Sequence, residues 1–109
     1  MTLTKEQIIG ANDLTKEEVD VPEWGGSVIV RTMTGTERDR FEATIIGKDQ
    51  SNFRAALLSL CLIDDKGQRL FDNPVELGKK SAAILDRLLG VANRLNGIGK
   101  REEEVLLKN

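Results

Sequence analysis

Polar and apolar residues alternate at Glu18-Val19-Asp20-Val21. Side chains in a strand point to alternate faces, so Val19 and Val21 share one face and the two acids take the other. Pro22 has no N–H to give to a ladder and closes that strand. Gly25-Gly26 supplies the positive φ of a hairpin turn. Residues 27–33 (SVIVRTM) are rich in β-branched side chains and read as the returning strand. A hairpin alone is marginal in water, so this one requires a helix or a second chain to cover it.

Beyond residue 33 the apolar spacing becomes helical. Thr34-Gly35-Thr36-Glu37 has the form of a capping box and opens a helix carrying Phe41 and Ile45, with Ile46 beside them. Gly47-Lys48-Asp49 interrupts it, and Ser51 or Asn52 can cap a new helix, giving either two helices or one bent one. Residues 52–63 are the most apolar segment. Phe53, Ala56, Leu57, Leu60 and Cys61 fall on one helical face, and Leu58, Leu62 and Ile63 widen it, as in a helix central to a core. Asp64-Asp65-Lys66-Gly67 is a turn, followed by a short extended or looped return over residues 68–71. Asn73-Pro74-Val75-Glu76 predicts a further helix start, with Pro74 at the first helical position and Gly78 ending or weakening the turn. Ser81 is placed to cap the last main helix, 82–95. Leu85, Leu88, Leu89, Ala92 and Leu95 are its buried stripe, Asp86, Arg87, Asn93 and Arg94 its wet face, and Gly97 its left-handed stop. Thr4 and Gln7 form another capping box, but only Ile8 and Ile9 follow it, so the start reads as a short helix or a partly disordered arm.

Together these elements predict an α+β fold, mostly α, with an N-terminal β-hairpin packed on a small bundle of about three to four helices. Residues 1–15 are the arm, 16–97 a single domain and 98–109 a C-terminal tail.

Composition narrows the chemistry. With 109 residues the chain suits one domain, and its formal net charge of −2 is too balanced for a protein that binds nucleic acid by neutralising phosphates. It contains no His, which removes the commonest general base and metal ligand and argues against an enzyme. One cysteine permits no intrachain disulfide and fits a reducing compartment. The N-terminus lacks the pattern of a secretory signal, and no apolar run approaches the ~20 residues that span a bilayer. The expectation is a soluble, intracellular protein with no membrane partner.

Local motifs give no catalytic, metal or cofactor site. Asp64-Asp65-Lys66-Gly67 lacks the alternating ligands and closing Glu of a calcium loop. Cys61, on an apolar helix face, is a small inert hydrophobe. Gly25-Gly26 has no phosphate-loop context. Arg31, Arg38 and Arg40 are interleaved with Glu37, Asp39 and Glu42, which reads as a salt-bridged face. Two features stand above this background. If Val28 and Val30 face the core, Ile29 is left on the far side, and a lone Trp24 sits at the hairpin tip. They read as an apolar patch for a partner, or Trp24 folds back over the domain's own helices. At the other end Val105, Leu106 and Leu107 form an apolar cluster that docks on the parent domain or, as the favoured reading, on another chain.

The stretch VPEWGGSVIVRTMTGTERDRFE, residues 21–42, resembles the tail assembly chaperones of long-tailed bacteriophages, in which a VPEWGG-x-V-x-VR hairpin precedes a (T/S)G-x-ERD-x-(F/Y)E helix start. The run LLSLCLIDDKGQRLF, residues 57–71, is similar to that family's CL-x-D-x-x-G-x-RLF turn, and Leu95-Asn96-Gly97 to its terminal LNG. The likeness covers residues 19–97. It implies a non-enzymatic protein of phage or prophage origin, without cofactor, acting in the host bacterial cytoplasm and absent from the mature virion. Its implied partners are the tape measure protein, which it keeps soluble, and the tail tube protein, which it helps recruit. Self-association and a longer, frameshifted form of the same chain are also implied. Lys108-Asn109 is encoded by an A-rich run, compatible with slippage there. The competing reading is a minor structural component retained in the virion.

Overall fold

A computed structural model of the chain defines residues 1–46 and 52–98. In order, the elements are α1 (Lys5–Gly10), β1 (Lys16–Val21), a 3-10 turn (Pro22–Trp24), β2 (Gly26–Arg31), α2 (Gly35–Ile46), α3 (Phe53–Cys61), β3 (Leu62–Ile63), a second 3-10 turn (Leu77–Lys79) and α4 (Ala82–Leu95). The α+β, mostly α architecture matches the sequence-based expectation. A small antiparallel sheet, ordered β1-β2-β3, packs against α3 and α4.

The hairpin pairs Val19 with Val28 and Glu17 with Val30, so Val19, Val21, Val28 and Val30 share the helix side. Its connection differs from the expected Gly-Gly turn. Pro22, with φ already fixed, starts a 3-10 turn that Gly25 closes by donating its N–H to the Pro22 carbonyl at 3.0 Å. Only Gly25 needs the left-handed conformation, with φ 79°, while Gly26 already belongs to β2 and pairs with Val21. The loop is therefore Pro22-Glu23-Trp24-Gly25.

The apolar run expected to be one helix through Ile63 divides. α3 stops at Cys61, Leu62 turns extended, and Leu62 and Ile63 pair with Val30 and Ile29 as a third strand. Periodicity alone does not separate a buried helix end from a buried strand, because both are continuously apolar. The helix end is held by arginines from elsewhere: Arg69 Nε donates to the Ser59 carbonyl at 3.1 Å and Arg31 Nη2 to the Leu60 carbonyl at 3.1 Å. These occupy carbonyls that a helix leaves without partners. The following turn is built by Asp64, whose side chain accepts the N–H groups of Lys66 and Gln68, with Gly67 at φ 84°.

α3 is the centre of the core, with Leu57, Leu58 and Cys61 fully buried beside Val21, Val30, Leu62, Leu77 and Leu88. Burying each Leu completely is worth about 1.5–3 kcal/mol relative to exposure. Phe41 of α2 meets Phe53 of α3 with ring centroids 5.4 Å apart, tying those helices together. The side chains of Ile45 and Ile46, the interruption at 47–49, the Ser51 cap and the tail beyond Ile98 lie outside the described residues. Asn52 takes the N-cap position of α3 without a side-chain bond to it.

The helix expected from Asn73 is a single turn. Asn73 Oδ1 accepts the Val75 N–H at 3.0 Å and Gly78 donates to the Pro74 carbonyl, after which the chain tightens into the second 3-10 turn, anchored by buried Leu77. A Cβ on Gly78 would lie 2.8 Å from Asn52 Oδ1, so a larger residue there requires the exposed Asn52 side chain to shift. α4 runs as expected, burying Leu85, Leu88 and Ala92, although Ser81 caps it through backbone alone. Ile98 donates to the Asn93 carbonyl and Gly97, at φ 68°, to that of Arg94, the two bonds of a Schellman stop.

The Thr34–Glu37 capping box is present and does more than cap. Glu37 accepts the Thr34 N–H at 2.8 Å and also receives Arg31 Nη2 at 2.9 and 3.0 Å, with only 12% and 13% of the Arg31 and Glu37 side chains exposed. Removing one partner from such a pair strands the other charge. Glu37→Ala is expected to lower stability by about 2–4 kcal/mol, whereas Glu42→Ala, which breaks only the exposed Arg38–Glu42 pair, is expected to cost about 0.5 kcal/mol or less. Denaturant unfolding of the two variants checks the contrast.

Candidate partner-binding surface

The described residues offer little to catalysis. No three His, Cys, Asp or Glu side chains among them converge on a metal site, and no helix among them is long and apolar enough to cross a membrane. Cys61 is fully buried, and burial pushes its thiol up to about 11, against a smaller opposing pull from the Asn96 amide that donates to its sulfur. The thiol is therefore neutral and unreactive in the fold. An open groove of about 490 Å³ runs between the arm's end at Asp13 and Thr15, the loop at Met33 and Thr34, and Asn96. Its walls hold no nucleophile paired with a base.

The apolar candidates occupy different places. Trp24 is half-buried in the hairpin loop and packs against the core, on the helix side of the sheet. Its neighbour Glu23 receives both guanidinium nitrogens of Arg87 on α4, at 2.8 and 3.1 Å, which pins the hairpin tip to that helix. Arg94 gives one nitrogen, Nη2, to both carboxylate oxygens of Glu17 at the other end of β1, at 3.0 and 2.8 Å. Ile29 points to the opposite side of the sheet. It lies between Glu18 on β1 and Ile63 on β3, half-buried and outside the main core. Trp24 and Ile29 thus do not join into one patch. Part of the indole is covered by the domain itself, and part remains open beside the clamped tip. Val105, Leu106 and Leu107 lie outside the described residues.

Sequence reasoning passed over a larger exposed set. Met1, Leu3, Ile8 and Ile9 are all more than half exposed. Thr4 caps α1 reciprocally with Gln7, yet α1 buries none of its residues. Helical segments this short take their stability from packing rather than propensity, so the arm's apolar side chains are surface without a cover in the isolated chain. The signal was present in the sequence as a capping box followed by Ile8-Ile9 with no apolar stripe to continue it. Leu70 and Val75 are the other large apolar residues exposed among the described residues.

No protein-family model matches the chain, and no curated protein matches its sequence. Among solved structures, the chain is similar to the bacteriophage HK97 tail assembly chaperone, with a TM-score of 0.60 and 23% sequence identity over 83% of this chain and 90% of that one. At that identity the likeness is one of fold.

The clamp at the hairpin tip has a pH signature. Arg87, donating to Glu23, is the main cause holding that carboxyl below its ordinary value, with Glu23's own backbone N–H adding to it. A carboxyl depressed in the fold contributes stability above its unfolded value and loses it as pH falls through the folded one. Both groups are exposed, so the contribution is small. Carboxyl NMR titration is expected to show the Glu23 midpoint moving up towards the ordinary range in Arg87→Gln.

Proposed function

We propose that this chain is a phage tail assembly chaperone that acts without catalysis. It binds the tape measure protein, keeps it soluble during tail morphogenesis and helps recruit tail tube subunits around it. The observation that carries this reading is the fold shared with the HK97 tail assembly chaperone over most of both chains. It is supported by the sequence motifs over residues 19–97, which the fold explains as structural devices.

The physics of the task fits the surface. A tape measure is a long chain with amphipathic helical stretches, which aggregate through apolar stripes unless these are covered. A small domain that presents Leu3, Ile8 and Ile9 on its arm, and the open parts of Trp24 and Ile29 on its hairpin, supplies several weak apolar contacts. Many copies along one chain convert weak contacts into avidity. Self-association, and pairing with a longer frameshifted form of the same chain, would array those copies. Val105, Leu106 and Leu107 are assigned to contacts in trans. The site of action is the host bacterial cytoplasm.

Two measurements test this. Mass spectrometry of purified virions is expected to find the chain absent, and stoichiometric copies there would instead make it a retained minor tail component. Trp24→Ala and Ile29→Ala are expected to weaken tape measure binding about tenfold while each lowers stability by no more than about 2 kcal/mol, because both side chains are only half-buried. A large loss of stability with binding intact would place these residues in the core rather than the interface.

A further inference from the structure

Asn96 is the one asparagine of the chain that is followed by glycine. In this dipeptide the backbone nitrogen of the second residue has no side chain beside it and is free to attack the asparagine side-chain carbonyl. The fold places this reactive pair at a junction. Asn96 Oδ1 accepts the Met33 N–H at 2.7 Å, and Nδ2 donates to the Ala92 carbonyl at 2.7 Å and to Cys61 Sγ at 3.6 Å. The Asn96 carbonyl accepts Arg38 Nη1 at 3.3 Å. One side chain therefore joins the β2–α2 connection, the end of α3 and the end of α4.

We propose that Asn96-Gly97 is a conformation-gated deamidation site, held off by the fold and opened when the end of α4 comes loose. The reaction closes a five-membered ring. The Gly97 nitrogen forms a bond to Asn96 Cγ and gives up its proton, the Cγ–Nδ2 bond breaks, and ammonia leaves carrying that proton. Water then opens the succinimide at either carbonyl, leaving an aspartate or an isoaspartate. Ring closure needs the Gly97 nitrogen on the same side of the Cα–C bond as Asn96 Cβ. In the fold, ψ of Asn96 is 2°, which sets that nitrogen alongside the residue's own nitrogen and away from Cβ. The Gly97 N–H is engaged with the Arg94 carbonyl, and the side-chain amide is held at both its oxygen and its nitrogen. Attack requires these to release together, which is a local unfolding of the α4 terminus.

The product does not fit back. A carboxylate has acceptors only, so where Nδ2 donated to the Ala92 carbonyl two oxygens would face each other. An isoaspartate also lengthens the main chain by one carbon inside the Schellman stop. Each opening event thus carries a chance of becoming permanent, and modification favours further opening.

Peptide mapping by mass spectrometry of the full chain, aged in native buffer and in guanidinium chloride, tests the gate. In denaturant the Asn96 peptide is expected to convert faster than those containing Asn12, Asn52 or Asn93. In native buffer it is expected to convert at least about tenfold more slowly than in denaturant, since a buttressed helix end opens less readily than a frayed one. Equal rates in the two conditions, or faster conversion of another asparagine in denaturant, would overturn the assignment. Deamidated chain separated from the aged native sample is expected to melt below its unmodified counterpart, with Asn12→Asp as a charge-matched control that melts normally. An unchanged melting temperature would overturn the irreversible step.

Discussion

The fold depends on how one cation and one carboxylate are kept out of water. Arg31 at the end of β2 and Glu37 in the first turn of α2 are nearly buried, and each is held by more than the other. Glu37 also takes the Thr34 N–H, which fixes the start of α2. Arg31 also gives a hydrogen bond to the Leu60 carbonyl, which fixes the end of α3. Charges taken from water are tolerated only when their partners are in place, so the strand, both helix ends and the loop between them must assemble together. The third strand is a consequence. With the end of α3 delivered to β2, Leu62 and Ile63 lie in register with Val30 and Ile29.

A second polar junction closes the domain from the other side. Asn96 reaches across to Met33, Cys61 and Ala92, so the end of α4 is tied to the same α2 and α3 ends that Arg31 and Glu37 organise. Arg87 and Arg94 of α4 add exposed ion pairs to Glu23 in the hairpin loop and Glu17 on β1. Asn96, with its amide oxygen and nitrogen both engaged, specifies how these apolar elements meet. Outside these junctions, Leu3, Ile8 and Ile9 of the arm remain exposed.

Much of this was legible in the sequence because short-range chemistry wrote it there. The Thr4–Gln7 and Thr34–Glu37 boxes, the Gly97 stop, the valine alternation and the α4 stripe each depend on residues within one or two turns of each other. Elsewhere long-range partners decided the outcome. Leu62-Ile63 became a strand because Ile29 and Val30 were waiting. Asn73-Pro74 carried a helix-start signal, but the chain needed only one turn there to bury Leu77. Of the candidate contacts, Ile29 was placed on the outer side of the sheet by strand alternation alone. The partial cover over Trp24 was open in the sequence, because it comes from packing against the core cluster rather than from the residues beside it in the chain.

The functional account joins a rigid, polar-pinned scaffold to apolar surface that the isolated chain leaves uncovered. Its central claim is that this surface shields a longer, aggregation-prone chain. Co-expression with a phage tape measure protein tests that claim most directly, by the fraction of tape measure protein left in the supernatant after centrifugation. The account predicts a mostly soluble tape measure in the presence of this chain and an insoluble one without it. Equal insolubility in the two cases, with this chain folded and abundant, would contradict it.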